Sequence, residues 1–181
     1  MQKIKRNTLL IVLLCICFIL AVSGGVYGYL TATTAPVANE FVPATVSCQV
    51  GEAFEDGVKK NVCIKNTGNV NAYIRAAVII NFVSDDGKIL STAPVADTNY
   101  KIKWGSALWQ IGNDGYWYYR KAVIPEDVTE TLIETAYAVT VPEGYRLSIQ
   151  IIATAFQTEP DSAVEDAWNV TVENGEMIPK Q

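Results

Sequence analysis

The sequence has no histidine. That absence removes Ser-His-Asp and Cys-His activation of a nucleophile, and every histidine-ligated zinc site including HExxH. Cysteine is also scarce: there are four, with Cys15 and Cys17 inside an N-terminal apolar run and Cys48 and Cys63 beyond it. Two thiols cannot build a four-cysteine zinc site. Positive charge is in deficit, with 14 Lys and Arg against 19 Asp and Glu. An acidic chain repels phosphate backbones, which argues against a nucleic-acid partner. Sequence neighbours such as Glu126/Asp127 and Glu165/Asp166 point apart on a strand or diverge on a helix, so no pair of carboxylates is set across a cleft as a glycosidase requires. Asp85-Asp86-Gly87 lacks the acidic series and closing Glu of a calcium loop, and reads as a turn. No internal repeat is visible. The expectation is a non-enzyme with no metal and no cofactor.

What is present begins with an export signal. Lys3, Lys5 and Arg6 precede the apolar run 8–22, and Ser23-Gly24-Gly25 follow it. Basic, apolar and small residues in that order describe a secretory signal peptide over 1–28. Val26 and Gly28 are the small residues a signal peptidase reads, which places the cut between Gly28 and Tyr29. An uncleaved anchor continuing to Leu30 is the alternative, since the run is long for a signal and short for a span. A lipoprotein is disfavoured, because bulky Leu14 and Ile16 precede the two cysteines. Cleavage would remove three basic residues and no acid, leaving 11 basic against 19 acidic. The remaining charge is uneven: 59–121 is mostly basic and 122–181 mostly acidic, which is either a solvated surface or a pair of faces by which successive subunits meet.

Past residue 40 the apolar period is two. Ile74, Ala76, Val78, Ile80 and Phe82 form one wholly apolar face, and Tyr73, Arg75, Ala77, Ile79 and Asn81 a mixed one. Leu147, Ile149, Ile151, Ala153 and Ala155 alternate with Arg146, Ser148, Gln150 and Thr154. These are half-buried strands of an antiparallel sheet. Further strands are expected at 100–104, 116–124, 128–133 and 136–141, with turns at 66–69, 85–87 and 113–115. A short helix is expected at 160–168, where Ser162 and Glu165 offer a capping box. The fold class is therefore all-β, a jelly-roll-like antiparallel β-sandwich with one short C-terminal helix, spanning 44–172. Residues 29–43 form an N-terminal segment and 173–181 a flexible tail.

Cys48 and Cys63 are a candidate disulfide across a hairpin turning near Asp56-Gly57. Strand parity opposes it: Cys48 shares a face with Val46 and Val50, whereas Cys63 sits opposite Val62 and Ile64, so a bond needs a bulge. Trp104, Trp109, Tyr116, Trp117, Tyr118 and Tyr119 crowd one stretch and form a candidate aromatic surface. An exposed row could stack on sugar rings, and large aromatics could equally pack the sandwich. Asn169-Val170-Thr171 matches a glycosylation acceptor, a short and common pattern.

Read in order, "GGVYGYLT", "NEF", "IKNTGNVNAYIRAAV", "DGYWYY", "VTETLI" and "IIATAFQTEPDSAVEDAW" resemble the TasA/camelysin family of exported proteins of Gram-positive bacteria. The likeness spans nearly the whole chain, and "YGYLT" after a double glycine resembles the sites cut by that family's dedicated signal peptidase. The resemblance implies a secreted jelly-roll subunit of extracellular-matrix (biofilm) or cell-surface fibres. Its implied partners are copies of itself or related fibre subunits, and the signal peptidase during export. It further implies donor-strand exchange, in which the mature N-terminus adds a strand to the next subunit. Tyr29, Leu30, Val37, Phe41 and Val42 would be the inserted residues, with Pro36 and Pro43 bounding the piece that holds Val37, Phe41 and Val42. The peptidase activity described for camelysin is not carried over, because no zinc-ligand set exists here. A different class of reading is a monomeric surface module that holds matrix polysaccharide on the 104–119 aromatics.

Overall fold

In the computed structural model, residues 10, 11, 13–17 and 43–180 are described. The signal-peptide and cleavage-site readings, and the candidate donor residues, fall almost wholly outside them; residues 10, 11 and 13–17 are helical and exposed. Residues from Pro43 onward form one folding unit.

The alternating sequences become strands. β1 (Cys48–Glu55) and β2 (Val58–Asn66) form a hairpin. It turns at Asp56 and Gly57, both at positive φ, the geometry that Asp-Gly is suited to supply. Strands β3 (Ala72–Ser84), β4 (Tyr100–Trp104), β5 (Trp109–Ile111), β6 (Trp117–Val123), β7 (Ile133–Ala138) and β8 (Tyr145–Gln157) come next along the chain. One sheet runs β1-β2-β7-β4, and the other contains β8-β3-β6, with β5 on the far edge of β6. Strand 2 pairs with 7 and strand 3 with 6, while 4 lies beside 7 and 8 beside 3. This is the pattern of a long hairpin rolled into two layers, a jelly roll. The expected strands at 128–133 and 136–141 are instead one strand, β7. Residues 128–132 run beside β2 without a continuous ladder, because Thr129 and Leu132 donate their N–H groups to Ile64 and Val62.

Between the layers lies a core of Val62, Ile64, Ile74, Ala76, Trp109, Tyr119, Leu132 and Ile133, all buried. Each fully buried Ile or Val contributes roughly 1.5–3 kcal/mol relative to exposure. A second, smaller core explains the mixed face of β3. Tyr73 and Tyr118 point away from the first core and are covered by Val164 and Trp168 of the C-terminal helix (Asp161–Trp168) and by Met177.

Two expectations are corrected here. The capping box does not form: Pro160 is the N-cap, and Glu165 accepts from the N–H of Val172 at 2.8 Å, tying the helix to the strand on its C-terminal side. The segment expected as a flexible tail, 173–181, is ordered through its described residues 173–180. β9 (Val170–Glu173) and β10 (Glu176–Pro179) make a hairpin across Asn174-Gly175, and Met177 is fully buried. An apolar Met-Ile pair beside an Asn-Gly turn finds a face to cover, so the segment is held by burial.

At one pole of the sandwich the chain enters. Asn69 donates from Nδ2 to the carbonyl of Pro43 at 2.9 Å, and its N–H reaches the carbonyl of Thr45. This pole also holds the Ala72–Gln157 end of the β3/β8 ladder, whose other end is Ser84–Tyr145. Those two ends are about 40 Å apart along thirteen residues of strand.

Candidate functional site

At the far pole the two layers do not close. Across the first sheet, Phe54 is the register partner of Lys59, Lys59 of Ala136, and Ala136 of Ile102. Cross-strand partners share a face. Ala136 is 1% exposed and Ile102 packs on the core, so the whole row faces the second sheet. Phe54 nevertheless is 71% exposed. It occupies a core-facing position that no described residue covers.

Opposite stands β8, whose described ladder partner is β3 alone, so its other edge is unpaired among the described residues. In a fully rolled hairpin that edge would pair with β1, but β1 bonds to β2 and merely lies against β8. The gap is a groove of about 480 Å³, lined by Phe54, Lys59 and Ala136 on one side and Tyr145, Leu147 and Ile149 on the other. Leu147 and Ile149 are half-buried although they belong to the inward set.

Charge in the groove is positive. Lys59 is 9% exposed, and its ammonium is matched by Glu52, the β1 residue at the register shift between Gly51 and Ala53. Arg146 also lines the groove, lies on the outward face of β8 between Tyr145 and Leu147, and is exposed. Among the described residues it has no ion pair.

An unpaired strand edge beside uncovered apolar side chains is a template for an added strand: main-chain groups bond it and alternate side chains fill the pocket. Sequence reasoning did not find these groove residues. Phe54, Leu147 and Arg146 look like ordinary strand residues, and the signal lies in what covers them.

The aromatic stretch divides. Trp109, Tyr118 and Tyr119 are 4%, 1% and 6% exposed and belong to the cores, so the candidate aromatic surface loses them. Trp104 is 38% exposed and stacks on half-buried Trp117 with ring centroids 4.1 Å apart. Tyr116 lies over the Arg75 guanidinium, 4.2 Å from the ring centroid, with Trp168 at 4.7 Å. Burial raises the phenol pKa of Tyr118, Tyr119 and Tyr73, and at Tyr118 the hydrogen bond to Asp114, 2.6 Å long, adds to it.

The candidate disulfide is absent. Cys48 pairs in register with Asn66 and packs on the core, while Cys63 pairs with Gly51 and lines a shallow hollow with Ser106, Glu130 and Glu134. Both are free thiols, and the bulge near Gly51 does not bring them to one face. Burial raises the Cys48 pKa. Among the described residues, no three His, Cys, Asp or Glu side chains gather as metal ligands would. No protein-family model, curated protein or solved structure matches the chain.

Proposed function

We propose that this protein is a non-catalytic structural subunit of extracellular-matrix or cell-surface fibres, exported and then assembled head to tail by donor-strand exchange. The observation that carries the reading is the placement of the two poles. The chain enters the sandwich beside Asn69, and the unpaired β8 edge with its apolar groove opens at Tyr145–Ile149, the opposite end. A segment leaving one copy at the first pole fills the groove of the next at the second. The contact is heterologous and does not close on itself, which generates a filament. The segment suits insertion: "YLTATT" is rich in β-formers and uncharged. Val37 and Phe41, which share one face of an extended strand, supply apolar side chains for Phe54, Leu147 and Ile149 to meet. The resemblance to TasA/camelysin proteins points the same way.

Negative-stain electron microscopy of residues 29–181 beside 43–181, at matched concentration, tests this. Fibres are expected from the longer chain alone. Equal behaviour of the two chains would overturn the reading.

The polysaccharide reading retains one observation, the exposed Trp104 stacked on Trp117. It requires a Trp fluorescence change on adding glycans, from monomers that need no N-terminal segment.

A further inference from the structure

Resting on the donor-strand reading above, we infer that Glu40 of one subunit pairs with Arg146 of the next, and that this ion pair sets the register of the inserted strand. Direction comes first. β8 runs from Tyr145 at the open pole to Gln157 at the pole where the chain enters. A segment arriving from a neighbouring copy enters at Tyr145 with Val42 outermost and lower-numbered residues deeper. It therefore lies antiparallel to β8.

Parity comes next. Val37 and Phe41 share one face of an extended strand, and Glu40 the other. All of Tyr145–Ile149 border the groove, and strand alternation sets Tyr145, Leu147 and Ile149 on the core face of β8 and Arg146 and Ser148 on the other. Any register that turns Val37 and Phe41 inward sets Glu40 on the face of Arg146. Placing Glu40 directly opposite Arg146 sets Val37 opposite Ile149 and Phe41 opposite Tyr145. Pro36 lies one residue deeper, and with no N–H it ends the ladder where the groove ends.

Charge then removes the remaining ambiguity. A one-residue slip is rejected because it turns Val37 and Phe41 outward. A two-residue slip preserves parity, and apolar contacts alone do not prevent it. It moves Glu40 opposite Gly144 or Ser148. Glu40 is the one charged residue between Tyr29 and Pro43, and Arg146 is exposed and unpaired among the described residues. An opposite-charge pair across neighbouring strands favours the first register over its two-residue neighbours.

The test uses charge reversal in the full-length chain, expressed in a Gram-positive host, with cells and medium collected together and sedimentable fibre quantified. Glu40→Arg and Arg146→Glu are each expected to reduce assembly at least about fivefold, and the double variant to recover to within about twofold of the parent. Thermal unfolding of the Arg146→Glu monomer is expected to be unchanged, since Arg146 is exposed and has no ion pair among the described residues. Parent-like assembly by either single variant, or a double variant no better than the worse single one, overturns the pairing. A deletion of 31–42, which leaves the Gly28–Tyr29 junction intact, separates the two levels. If it assembles as the parent does, the donor-strand reading has failed. If it does not assemble while the charge variants do, the register pairing alone has failed.

Discussion

Asn66 donates from Nδ2 to the carbonyl of Val123 at 2.8 Å, joining the end of β2 to the end of β6. The same amide donates to Val70 at 2.8 Å, and its Oδ1 accepts from the N–H of Gly68 at 2.9 Å. Asn66 is fully buried. One side chain thus satisfies two main-chain groups of the turn that anchors the base of the N-terminal segment and one at the end of β6. Asn66→Ala leaves them unpaired out of water and is expected to cost about 2–4 kcal/mol. Thermal and urea unfolding of the domain measure it, and a loss under about 1 kcal/mol would mean that water replaces the amide.

Arg75 holds the helix to the sheet through its plane as well as its charge. Its guanidinium lies between Tyr116 and Trp168 and donates to the Tyr118 hydroxyl at 3.4 Å. Arg75→Lys keeps the charge and loses the flat stacking surface, so a loss of about 1 kcal/mol is expected. Near-ultraviolet circular dichroism should report loosened Trp168 packing.

Alkaline pH is expected to unfold the domain. The phenols of Tyr73, Tyr118 and Tyr119 have folded pKa values raised above their ordinary one, so the folded state holds their protons more tightly. Stability from this source is complete below the unfolded pKa, near 10, and falls as pH rises through the folded values. Spectrophotometric titration should show a late-titrating group of tyrosines released together with unfolding. Tyr118→Phe should shift that transition.

The two thiols differ in reach. Cys63 lines an open hollow, whereas Cys48 packs against the core with its pKa raised by burial. A thiol reagent is expected to label Cys63 first and Cys48 slowly, at a rate that tracks local opening. A bonded pair would label at neither position without reductant.

Phe54→Ser probes the groove. Phe54 is 71% exposed, so the substitution should change monomer stability by less than about 0.5 kcal/mol. Fibre yield should nonetheless fall sharply, because an added strand would cover this ring. An unchanged yield would remove Phe54 from the acceptor site.

By itself the sequence determined the two-residue period, the Asp56-Gly57 and Asn66–Asn69 turns, and the inward faces of β3 and β8. These are local, since backbone preference and side-chain alternation lie within a few residues of one another. It also carried the argument against the Cys48–Cys63 bond, which needed only parity. The order of strands, the burial of Trp109, Tyr118 and Tyr119, and the docking of Met177 were decided by tertiary structure. Each depends on which distant segment arrives to cover a face. Phe54 shows the limit most clearly. Its position in an alternating strand marks it as inward, but only the absence, among the described residues, of a strand between β1 and β8 leaves it bare, and an absence between segments distant in the chain has no local signature.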